Sequence, residues 1–166
     1  MKHQLYRIKY LIGLIVLLTT ISCSNDDPTA NFEIGELQRL LAADSAKSWQ
    51  RLTRRENGND KMLPDCEKDE LLIFSFAESA DDSITFNYET GPSLCSGQSD
   101  SLIFQGAWDI VSNDLPEAYD SLRLAVDGDT SLRNIDFITS QILMLSFEED
   151  VSGQKITVTE SYGFSE

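Results

Sequence analysis

The chain has 166 residues, 13 basic and 28 acidic side chains for a formal net charge of −15, and 41% apolar residues. That is length for one domain plus a short leader, with apolar material for a sizeable core. So acidic a surface repels phosphate backbones, which excludes nucleic acid as a partner, and it repels anionic bilayers, so membrane association needs an anchor other than charge.

Three of the 13 basic residues, Lys2, Arg7 and Lys9, stand in the first 22 positions with no acid among them, so from residue 23 onward 10 basic side chains meet 28 acidic ones, a net of −18. They precede an apolar run, Tyr10 to Leu18, and a small polar exit, Thr19-Thr20-Ile21-Ser22-Cys23. This is the layout of a secretory signal. The run is too short to span a bilayer, which takes about 20 apolar residues. Ser22-Cys23 resembles the lipobox of bacterial lipoproteins, in the relaxed form of Bacteroidetes-type bacteria, with Thr20 where leucine is usual. The resemblance implies that residues 1–22 are removed and that Cys23 becomes the first residue, carrying fatty acyl chains such as palmitate. Residues 23–34 then form a lipidated tether and residues 35–166 the domain. The resemblance also places the protein on the bacterial outer membrane. Ser24-Asn25-Asp26-Asp27 resembles the acidic signal for display on the cell surface, although acids after a lipidated cysteine also occur in plain tethers. An ordinary cleaved signal beside a chance cysteine is the alternative.

Along the domain, Ile34, Leu37, Leu40 and Leu41 recur at helical spacing and predict a helix over 35–46, packed over one end of a sheet. Trp49 to Arg54 is a first strand, followed by the turn Asn57-Gly58-Asn59-Asp60. Asp69 to Phe76 is a second strand, with Leu72, Phe74 and Phe76 on one face. Asp81-Asp82-Ser83 turns the chain, and Ile84, Phe86 and Tyr88 alternate with polar residues in a third strand. Leu102 to Val111, LIFQGAWDIV, is the fourth and central strand. Gly106 leaves a gap on the face of Phe104 and Trp108 where a ring or a neighbouring backbone can come close. After Asn113-Asp114-Leu115-Pro116, a fifth strand carries Leu122, Leu124 and Val126. Asp127-Gly128-Asp129 turns into a sixth over 132–138. A seventh covers 142–147, Ser152-Gly153 is a hairpin turn, and Ile156, Val158 and Tyr162 lie on the eighth. Strands in unbroken succession with short turns favour antiparallel neighbours. The fold class expected is therefore all-β: an eight-stranded antiparallel up-and-down barrel with a short N-terminal helix.

The leading helix, Trp49 on the first strand, Cys66 before the second and Gly106-Ala107-Trp108 on the fourth resemble the lipocalin-like lipoproteins of Bacteroidetes-type bacteria over residues 36–164. The resemblance implies a small barrel and a binding role.

Cys66 and Cys95 are left over once Cys23 is assigned to the lipid. In an oxidising envelope they pair as a disulfide worth about 3 to 4 kcal/mol in the chain-entropy account. A metal-binding or reactive thiol pair, or three free thiols, are the rival readings. Trp49, Phe74, Phe86, Tyr88 and Trp108 either line a cavity for a small apolar ligand or plug the barrel as core. Arg51, Arg54 and Arg55 form the one basic cluster. It either receives an anionic group at the barrel mouth or offsets the acidic surface through exposed pairs. Asp81-Asp82 and Asp127-Gly128-Asp129 are acidic turns without a calcium loop, so no metal and no cofactor is expected. The one histidine, His3, lies in the leader, and no nucleophile or phosphate-loop motif is present, so a non-catalytic protein is expected. Function narrows to two readings. One is an anchored barrel that binds a small apolar ligand or presents a binding surface. The other is an accessory subunit with a filled barrel that contacts a cell-surface protein or a glycan-binding complex.

Overall fold

Three two-residue turns set the registers of the sheet: Asn57-Gly58, Asp127-Gly128 and Ser152-Gly153 each hold both residues at positive φ, between 48° and 93°. Turns of this hand match the right-handed twist of the strands they join, and their residue types tolerate the left-handed region. The computed structural model describes residues 34–76, 84–99, 101–112 and 120–166. Its elements are α1 (Ile34–Ala42), β1 (Ala46–Glu56), β2 (Asn59–Lys61), α2 (Asp65–Lys68), β3 (Leu71–Ser75), β4 (Thr85–Glu89), β5 (Leu102–Val111), β6 (Ser121–Val126), β7 (Asp129–Ile138), β8 (Ile142–Val151) and β9 (Gln154–Ser165).

Every strand pairs antiparallel with its neighbour, and β1 pairs with β9 to close the sheet. The result is the expected eight-stranded up-and-down barrel, formed by β1 and β3 to β9. The short strand β2 is an addition that the sequence pattern did not separate from its turn. It pairs with Arg54–Glu56, the far half of β1, while Ala46–Gln50 pair with β3. The central strand spans Leu102–Val111 as expected. Its close approach at Gly106 is real: a Cβ there would lie 2.0 Å from the Ala125 carbonyl oxygen and 2.9 Å from the Phe86 ring.

The helix is shorter than its periodicity suggests. Ala43 takes φ 54° and its N–H returns to the Arg39 carbonyl at 2.8 Å, which ends α1 four residues early and lets β1 begin at Ala46. Leu37, Leu41 and Ala42 sink into one end of the barrel. Two β1 side chains satisfy the orphan carbonyls at the helix C-terminus: Lys47 Nζ donates to Leu40 O and Trp49 Nε1 to Leu41 O, both at 2.8 Å. The Lys47 ammonium also lies 4.0 Å from the Trp49 ring centroid, and burial lowers its pKa. The plugged end is thus fastened by polar as well as apolar contacts.

Inside, aromatic rings on adjacent strands pack edge to face or stacked. Phe74 meets Trp108 at 5.2 Å and Phe86 at 6.4 Å, Phe86 meets Phe104 at 5.9 Å, and Phe104 stacks on Tyr88 at 4.8 Å. Leu122, Leu124, Ile135, Ile138, Leu143 and Leu145 complete the core from the opposite wall.

Candidate functional site

Above this apolar floor, toward the end of the barrel away from α1, the interior turns polar. Its origin is local. A β-bulge in β1 lets both Leu52 and Thr53 face out, so Arg51 and Arg54 both face in. A regular strand would alternate, and only one of the two would point inward. On β9 the parity of Val158 and Tyr162 carries Glu160 inward between them, where it is 1% exposed. On β7, Arg133 shares the inner face with Ile135.

These residues meet. Glu160 Oε1 receives Arg51 at 3.3 Å and Arg54 at 3.2 Å, while Oε2 receives Arg133 at 3.4 Å and the Tyr162 hydroxyl at 2.5 Å. Arg51 also reaches Glu70 at 3.0 Å and Glu67 at 3.7 Å. The Tyr88 hydroxyl accepts from Arg51 and donates to Glu70 at 2.5 Å. Arg54 extends the network outward to Glu56 at 3.2 Å and to Glu149. Arg133 lies 4.3 Å over the Phe147 ring.

Burial and charge pull against each other in this layer. Burial alone would weaken the Arg51 cation, but Glu160, the two tyrosines and Glu70 more than offset it, so its pKa ends above the ordinary arginine value. Burial raises the Glu70 carboxyl, with the Tyr88 hydrogen bond and Arg51 opposing. Burial likewise lifts both tyrosine hydroxyls far above physiological pH, so Tyr88 and Tyr162 are neutral hydrogen-bonding groups. Two guanidinium nitrogens, Nε of Arg51 and Nε of Arg133, are buried without a hydrogen-bond partner.

The rim beyond the layer is built by β2, α2 and the β4–β5 connection. Cys66 in α2 and Cys95 in that connection form a disulfide, with Cα atoms 5.2 Å apart. The two segments touch closely: a Cβ at Gly91 would meet the Asp69 carbonyl oxygen at 2.3 Å, and Ser93 N–H donates to Asp69 Oδ2 at 2.9 Å. Inside this rim lies a cleft of about 310 Å³ bordered by Arg54, Glu56, Lys61, Met62, Leu63 and Glu67. Met62 is 92% exposed on its edge.

The residues singled out in the sequence fall into three groups. Trp49, Phe74, Phe86, Tyr88 and Trp108 come together in one buried core, with Trp49, Phe74 and Phe86 wholly enclosed. The basic cluster divides: Arg51 and Arg54 turn inward to buried acids, while Arg55 stays exposed with Asp60 at 2.6 Å. Cys23, the tether up to residue 33, Asp81-Asp82 and Asn113 to Pro116 lie outside the described residues, while Ile34, expected as the last tether residue, already begins α1. Asp127 and Asp129 sit in an ordinary hairpin turn, and among the described residues no group of three or more His, Cys, Asp or Glu is arranged to hold a metal ion. Glu160, Glu70 and Arg133 were missed. For Glu160 a signal existed, since Val158, Glu160 and Tyr162 share one face of an alternating strand. Glu70 lies just ahead of β3, and Arg133 gave no clear cue, because its apolar neighbour Leu132 is the exposed one of the two and a bulge after Ile135 breaks the alternation of the strand. No protein-family model matches the chain, and no curated protein is similar to it in sequence.

Proposed function

We propose that the protein is a lipid-anchored, non-catalytic recognition module of the bacterial outer membrane. It is held by an acylated Cys23 and works through the open mouth of its lipocalin-like barrel. The observation that supports this reading is the asymmetry of the barrel. One end is plugged by α1, Trp49 and the packed rings. The other keeps a charged layer beneath a disulfide-bound rim and a cleft. Buried ion pairs contribute little net stability compared with apolar packing of similar volume, so a barrel needing only to fold gains nothing from three inward arginines.

Cys23→Ala with membrane fractionation tests the anchoring. The variant is expected in the soluble fraction, and continued sedimentation with membranes would overturn the lipobox reading. Native mass spectrometry of the protein isolated from its source tests recognition, with bound small-molecule mass or a co-purified cell-surface protein expected.

A second reading, uptake of a small apolar ligand into the barrel, draws on Phe104 and Val126. Both are partly exposed at the upper edge of the ring wall. Trp108→Ala separates the possibilities. As core it costs about 3 to 5 kcal/mol of stability, whereas loss of ligand uptake with little loss of stability marks a cavity wall.

A further inference from the structure

The sheet closes on itself, but not along its whole height. β7 and β8 are paired only from Asn134 and Ser146 toward the plugged end. Toward the mouth, residues 129–133 of β7 pair with β6 alone, and residues 147–151 of β8 pair with β9 alone. The bulge at Asp136 accounts for the parting, since an extra residue bends a strand and increases its twist. Arg133, 4.3 Å over the Phe147 ring, marks the level at which the seam begins. Among the described residues no other strand pairs with either edge.

An unpaired edge presents backbone N–H and C=O groups to an extended chain, and proteins usually cover it, shorten it or break it with a bulge or proline. The β8 edge has no such protection: residues 147–151 run in regular register with β9 to the hairpin turn. Their side chains alternate. Glu148 and Asp150 are exposed on the outer face, while Phe147 and Glu149 are half-buried, Glu149 against Arg54. These acids decide the occupant. Antiparallel pairing with a second copy about Glu149 would set the Glu148 of each against the Asp150 of the other, and like charges directly opposite destabilise a ladder. The facing β7 edge adds an exposed Asp129, and its base, Arg133, is held by Glu160. Lys155 pairs with Glu148 at 3.0 Å from β9, on the side away from the seam.

We infer that residues 147–151 of β8 take an extended segment of a partner protein as an added strand, one with basic side chains at alternate positions. The backbone ladder supplies the affinity, and Lys or Arg opposite Glu148 and Asp150 supplies the choice. The site lies in the barrel wall, so it stands or falls independently of the mouth reading above.

Titration of the full-length protein with three acetylated, amidated heptapeptides tests it. They are Thr-Lys-Val-Lys-Val-Lys-Thr, its counterpart with Glu for Lys, and a third with Pro for Val. The lysine–valine peptide is expected to bind about tenfold or more tightly than either of the others. The proline peptide keeps the charge but loses ladder donors. Equal binding of the lysine–valine peptide and either of the others overturns the proposal, as does no binding at all. Amide hydrogen exchange locates the contact. Protection at residues 147–151 is expected, and protection only elsewhere, such as at the short outer edge of Asn59–Lys61, overturns it. Glu148→Gln combined with Asp150→Asn is expected to cut the preference for lysine over glutamate several-fold. Both side chains are exposed, and Asn keeps an acceptor for the Gly153 N–H that Asp150 accepts at 2.7 Å, so the variant keeps its fold. An unchanged preference in that variant overturns the proposal.

Discussion

Arg51 and Arg54, three residues apart on one strand, hold the same oxygen of Glu160 at 3.3 and 3.2 Å. They do so because the bulge at Leu52 and Thr53 absorbs the residue that would otherwise turn Arg54 to solvent. One wholly buried carboxylate thereby becomes the common partner of three cations and a tyrosine hydroxyl.

Glu160→Ala should be among the costliest single substitutions in the domain. It removes the shared acceptor of Arg51, Arg54, Arg133 and Tyr162 and leaves buried positive charge uncompensated, at a cost of about 3 to 5 kcal/mol. Asp60→Ala, which breaks only the exposed pair with Arg55, should change stability by less than about 0.5 kcal/mol. Urea denaturation of the two variants side by side measures the contrast, and equal effects would mean that the buried layer has little hold on the fold.

Gly106→Ala should destabilise by about 1 to 3 kcal/mol or more, since the added methyl group meets backbone at Ala125 and cannot be relieved by a rotamer change. Gly35→Ala is the control. Nothing lies within 4 Å of that Cβ, and the position is in the first turn of α1, so it should be neutral or stabilising by up to about 1 kcal/mol. Thermal unfolding followed by circular dichroism reads both.

Cys95→Ser should lower stability by about 2 to 4 kcal/mol, because the Cys66–Cys95 bond spans 29 residues of chain that includes β3 and β4. Added reductant should depress the unfolding temperature of the wild-type protein and leave that of C95S where it is. A wild-type protein indifferent to reductant would show that the two half-cystines stabilise nothing.

Asp136 is the extra residue in the β7 bulge. Burial raises its pKa, opposed only by the Ser146 hydroxyl, which donates to it at 2.8 Å. A carboxyl raised in the folded state favours folding while protonated. Its contribution is complete below the unfolded value of about 3.9 and is lost as pH rises through the folded value. Asp136→Asn removes that loss while keeping an acceptor for Ser146. Relative to wild type, its stability should therefore rise from pH 4 toward neutrality. A difference that stays flat with pH would contradict the assignment.

Much of the barrel was legible because its signals are local. Alternating apolar residues marked Thr85–Glu89, Leu102–Val111 and Ser121–Val126 to within a residue or two, and Asn-Gly, Asp-Gly and Ser-Gly pairs marked the turns. The aromatic core was legible for the same reason, since Phe74, Phe86, Tyr88 and Trp108 all sit on the apolar parity of their strands. The charged layer was not. Glu160 is read only if an acid is allowed onto an inner face. The inward turn of Arg54 depends on a bulge that leaves no mark in Arg51-Leu52-Thr53-Arg54. Pairing among Glu160, Arg133 and Glu70 depends on strand closure between distant parts of the chain. The early end of α1 was hidden too, because Ala43 adopts a left-handed conformation more usual for glycine or asparagine.

The chain enters the barrel through α1, and β1 then carries it across in 11 residues. At about 3.3 Å per residue and with the tilt usual for such strands, the helix and the rim where β1 ends stand roughly 25 to 30 Å apart. A surface lying under the helix therefore leaves the rim uncovered. Whatever occupies the underside of this molecule and whatever visits its opening need not compete for space, and both can be present at once.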